Sequence, residues 1–143
     1  MNKINYNEVP GYYMHCLQAD CPMASSCLRQ LATQTMPKDT VCIRIVNPLL
    51  TTPSDKCRFY RSSEPQTYAR GFVNMKQHML PAQYGSFMYR LIDKFGRTGY
   101  FERRRGERLC SPQEMKEIES VLQDLQLPQL KFDAYEEQIN WSD

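Results

Sequence analysis

The chain has 143 residues, 41% of them hydrophobic and 24% charged, with a formal net charge of +2. That length fits one domain, able to bury roughly two thirds of its unfolded surface. The composition excludes a disordered or low-complexity chain, and no apolar run of about 18 residues exists that could span a membrane.

Charge is unevenly spread. Residues 1–110 carry 16 Lys/Arg against 8 Asp/Glu, and residues 111–143 carry 2 against 8. Two readings fit: an anionic partner for the first part, or an acidic C-terminal segment that packs on the chain's own basic body. The stretch from Met1 to Pro10 lacks the apolar core of a signal peptide, so the chain reads as cytoplasmic. In a reducing compartment its six cysteines are expected as thiols or metal ligands rather than disulfides.

In chain order, Pro10-Gly11 marks a turn. A first helix is predicted from near Cys21, with Pro22 at its first position and Ala24, Leu28 and Leu31 on one face beside Cys27. Val41 to Val46 alternates as a strand. Cys57 to Arg61 and Gln66 to Arg70 are expected to pair as a hairpin, followed by a short helix over Phe72 to Met79. Pro81 opens a longer helix whose Tyr84, Phe87, Met88, Leu91, Ile92 and Phe95 form an apolar stripe, with Gly96 placed as its C-terminal cap. A second hairpin is expected from Tyr100 to Cys110, turning near Arg105-Gly106. Ser111-Pro112-Gln113-Glu114 then has the form of a capping box, and Met115, Ile118, Val121, Leu122 and Leu125 give that helix its buried side. Past Pro128, a tail carrying Tyr135, Ile139 and Trp141 is expected to dock back. The expected architecture is α+β in a single domain, residues 1–143, with a small antiparallel sheet and hairpins among three to four helices. A cysteine-containing part (1–71) precedes a helix-hairpin-helix part (72–143) of winged-helix-like layout.

A tetrahedral thiolate site needs four sulfurs about 2.3 Å from one ion. Cys16, Cys21 and Cys27 lie within twelve residues, with Cys57 as the candidate fourth ligand, Cys42 in reserve and His15 as a possible substitute. Zinc is the ion favoured, since no ferredoxin-type cysteine run occurs. The competing reading is that these are small buried hydrophobes, because free cysteine is among the most buried residue types.

Seven basic residues fall between Arg90 and Arg108. On a hairpin tip, Arg97, Arg103, Arg104, Arg105 and Arg108 would present guanidinium forks to the phosphates of a nucleic acid. Pairing with Glu102, Glu107 and the acidic C-terminal helix is the alternative. Catalysis finds little support, with two histidines and no nucleophile-elbow, P-loop or dinucleotide glycine motif.

The run Cys16…Cys21-Pro22…Cys27-Leu28-Arg29, with Tyr100 to Glu107 and Ser111-Pro112-Gln113 later, resembles a family of small uncharacterised proteins of gut Bacteroides-type bacteria. The resemblance implies a bacterial cytoplasmic origin and carries no activity, ligand or catalytic residue. The expectation is therefore a non-enzymatic, zinc-stabilised binding module that contacts nucleic acid or another anionic partner through an arginine-rich hairpin. The alternative is a protein–protein interaction or structural module with buried thiols and internally paired arginines.

Overall fold

The computed structural model describes residues 4–142. They divide into two compact units, residues 4–65 with 139–142 and Gln66–Gln138. The fold is mixed α and β: helices accompany two sheets of two strands each, one antiparallel as expected and one parallel. Among the described residues no helix is long and apolar enough to cross a membrane.

In the first unit, β1 (Met14–His15) lies parallel to β2 (Arg44–Ile45), and α1 spans Leu28–Thr35. The strand expected over Val41 to Val46 shrinks to those two residues because β1 offers only a two-residue partner, and Val41 stands 93% exposed. The helix expected from Cys21 starts seven residues later. Residues 22–26 form consecutive turns instead, tied by bonds such as Ala24 N–H to the Cys21 carbonyl at 3.0 Å. The reason is tertiary. Cys27 takes an extended conformation (φ −82°, ψ 120°) to bridge Ser62, while the Leu28 amide donates to the Arg61 carbonyl at 2.7 Å. A helix running through Cys27 would forfeit that pairing. The core here is small: Ile4, Tyr13, Leu28 and Ala32, with Ile139 and Trp141 packed against them. Of the tail expected to dock, Ile139 and Trp141 do so here, the indole edge-on to Tyr13 at 5.0 Å, while Tyr135 stands half-exposed in a strand of the second unit.

In the second unit β3 (Gln66–Arg70) pairs antiparallel with β4 (Ala134–Gln138) rather than with residues 57–61. The expected hairpin is lost to this distant partner, which supplies Glu137 to the Thr67 hydroxyl (2.6 Å) and Glu136 to the Arg70 guanidinium (2.9 Å). The segment after Phe72 forms a 3₁₀ turn (Val73–His78) whose first amides donate to the Asp133 carboxylate at 2.8 and 3.1 Å.

The helix α2 runs Pro81–Arg105, opened by Pro81 as expected, and does not stop at Gly96. That glycine kinks it (φ 75°, ψ 164°), and the helical path resumes to Arg105, where Gly106 (φ 80°) provides the left-handed cap. Both angles lie where glycine alone is unpenalised. The expected second hairpin is therefore absent, and with it the winged-helix layout. The physical reason is periodicity: Tyr100 and Arg103, three residues apart, both turn inward and are buried, a spacing that a helix satisfies and a strand does not. The helix α3 (Pro112–Asp124) starts as its capping box dictates, with reciprocal Ser111 and Glu114 bonds at 3.2 Å. Phe72, Phe87, Leu91, Tyr100, Ile118 and Leu122 form the centre of this unit's core.

Candidate metal centre

Three segments of the first unit carry the four candidate ligands. Cys16 follows β1, and α1 grips its peptide from both sides: its amide donates to the Arg29 carbonyl (3.3 Å), and its carbonyl accepts from Gln30 Nε2 and Thr33 Oγ1 (2.8 Å each). Cys21 opens the run of turns, and its thiol approaches the Ser54 carbonyl at 3.8 Å. Cys27 is the N-cap residue of α1 and makes no side-chain capping bond, which leaves its sulfur uncommitted to the helix. Cys57 lies in the irregular stretch before Phe59, which is fixed by Tyr60 Oη donating to Ser26 Oγ at 3.2 Å.

All four sulfur-bearing residues line one cavity, together with Met23, Arg29, Gln30 and Phe59 among others. Its volume is about 20 Å³, room for one water-sized body by the rule of roughly 10–15 Å³ per water. As the side chains stand, no three His, Cys, Asp or Glu residues among those described are gathered closely enough to hold an ion. Four thiols around one small cavity nevertheless match the donor set that zinc prefers.

The reserve positions do not join them. Cys42 is exposed and lies outside the cavity lining. His15 is buried with its ring already engaged, Nε2 with the Tyr6 hydroxyl (2.9 Å) and Nδ1 with the carbonyls of Tyr13 and Arg44 (3.1 Å each). Carbonyls only accept, so Nδ1 carries a proton and cannot ligate. Cys110 sits in the second unit, fully buried, where desolvation, reinforced by the Glu114 carboxylate, pushes its thiol up to about 12.

Of the arginines at 97–108, Arg103, Arg105 and Arg108 meet carboxylates of the same chain and Arg97 lies over a ring. Arg103 is 7% exposed and meets Glu114 through Nε (2.8 Å) and Nη2 (2.6 Å), donates from Nη1 to the Gly99 carbonyl (3.0 Å), and lies 4.3 Å from the Phe95 ring centre. Arg105 forks onto Glu107 at 3.0 and 3.1 Å, a contact that holds the Glu107 carboxyl below its ordinary range. Arg108 approaches Glu102 at 3.9 Å, and Arg97 stacks over Phe101 at 5.8 Å. Arg104 is half-buried on the last turn of α2, its carbonyl accepting from the Phe72 amide at 3.1 Å.

Sequence reasoning missed Arg29. It is 1% exposed, lines the four-cysteine cavity, and is the one charged residue in α1. A single charge in an eight-residue helix was the available signal.

Over residues 1–141 the chain matches the model of a family of unknown function (DUF6078), and it belongs to that family. No curated protein and no solved structure matches it.

Proposed function

We propose that this protein is a non-catalytic module whose first unit is stapled by one zinc ion held by Cys16, Cys21, Cys27 and Cys57. The observation that carries this reading is the convergence of those four residues, from three separate segments, on a single cavity of about 20 Å³. Supporting it, the buried apolar cluster of that unit is small among the described residues, centred on Ile4, Tyr13, Leu28 and Ala32, and small units with little apolar burial commonly depend on a metal or a covalent cross-link. Bound zinc would supply no reaction here. It would close the ring of segments 16–27 and 57 and so contribute folding free energy directly.

The arginine-bearing segment is then part of the module's own framework rather than a phosphate-reading surface. In support, the Arg103–Glu114 pair is largely buried and joins α2 to α3. The module's partner, on this reading, is another protein.

Elemental analysis of protein purified without added metal tests the proposal. One zinc per chain is expected. Metal-free protein that is fully folded would contradict it.

A further inference from the structure

We infer that Arg29 is the positioning residue of the four-thiolate site, the side chain that brings two distant cysteine-bearing segments to the third. The inference rests on the metal reading above and adds what assembles the site.

Two of its hydrogen bonds end two residues from a cysteine. Arg29 stands on α1 two positions after Cys27. Its Nε donates to the carbonyl of Phe59, two positions after Cys57, at 2.8 Å. Its Nη1 donates to the carbonyl of Met14, two positions before Cys16, at 3.1 Å. The plane of the guanidinium is steadied by the Tyr13 ring, whose centre lies 5.1 Å away. Arg29 is also among the residues that line the cavity. A planar fork with donors in fixed directions serves two carbonyls at once; a lysine ammonium is a point charge on a flexible stem.

The consequence is pre-organisation. Cys57 is separated from Cys27 by an irregular stretch, and holding such a loop closed costs conformational entropy that ligation would otherwise have to overcome. Residues that orient metal ligands from outside the coordination shell typically change affinity by about 10–100-fold when removed.

The test compares zinc affinity, by competition with a chromophoric chelator, in the full-length wild type, Arg29→Lys and Arg29→Met, with cobalt(II) absorption as a report on ligand number. The wild type is expected to bind one ion with a tetrahedral four-thiolate cobalt spectrum. Both variants are expected to lose about 10–100-fold in affinity and to show the weaker cobalt bands of a site short of one thiolate. Variants within about twofold of wild type with unchanged cobalt spectra would overturn the role of Arg29, against the usual effect of such residues, and leave the metal site standing. A wild type that binds no ion would overturn the metal reading itself. Should both variants fail to fold, the wild type still decides: the Arg29 Nε proton should exchange markedly more slowly in the zinc-loaded protein than in the metal-free one. Equal exchange in the two would overturn the inference.

Discussion

The two units fall in or near the size range where one apolar core supplies only about 3–5 kcal/mol, and they meet that shortage by different means. The second interlocks aromatic rings, with Phe72 placed 6.0, 5.8 and 6.3 Å from Phe87, Tyr100 and Phe132, and adds a buried ion pair. The first has few large apolar residues in its core and spends its polar atoms on ties between segments: Arg29 to Phe59 and Met14, Gln30 and Thr33 to Cys16. Burial of apolar area holds one unit. Cross-links hold the other, and five of the six cysteines lie in it.

The sharpest way to break that contrast is to treat the protein with a chelator, which would withdraw the zinc proposed for the first unit. Structural zinc sites release apparent binding free energies of about 10–16 kcal/mol, so a chelator should abolish amide-exchange protection around α1 while Leu91, Ile118 and Leu122 stay protected. Equal loss in both units, or none in either, would erase the distinction.

Arg103→Ala should act in the opposite place. Removing one partner of a largely buried pair leaves an uncompensated charge and costs about 3–5 kcal/mol, here in the second unit, read by chemical denaturation with exchange as the local probe. Arg105→Ala, at the exposed Glu107 fork, should leave stability unchanged, since exposed pairs contribute little. Neither change should alter binding to DNA or RNA at low salt, because none is expected; binding that weakens as salt rises and disappears in these variants would restore a phosphate-contact role.

These contrasts also explain what could be read ahead of the structure. Ser111-Pro112-Gln113-Glu114 and Pro81 announced their helices because capping chemistry is local, confined to one turn. Both expected hairpins failed for non-local reasons. The partner of Gln66–Arg70 lies more than sixty residues on, and the Tyr100–Arg105 stretch was drawn into a helix by the inward demand of Tyr100 and Arg103. Gly96 was read as a stop because nothing in a linear pattern separates a cap from a kink. Cys16, Cys21, Cys27 and Cys57 could be grouped only by their density, while the bonds of Arg29 reach carbonyls fifteen and thirty residues away, beyond any local pattern.

A smaller effect separates the units by pH. The Cys110 thiol is raised by burial from about 9 to about 12, so the folded state keeps it protonated while the unfolded chain ionises it. Burial moves the Tyr100 hydroxyl in the same direction, with its Tyr84 neighbour adding to it. The stability these groups protect is full below pH 9 and falls as pH rises toward 12, because the unfolded state then binds fewer protons. Cys110→Ala should flatten the part of that decline that begins near pH 9, measured as the denaturation midpoint of the second unit.

Site-resolved alkylation reaches the central claim most directly. With the protein as purified, Cys42 should react at once, Cys110 not at all, and Cys16, Cys21, Cys27 and Cys57 only after a chelator is added, all four together. Reaction of those four at unrelated rates, unchanged by the chelator, would contradict a shared ion.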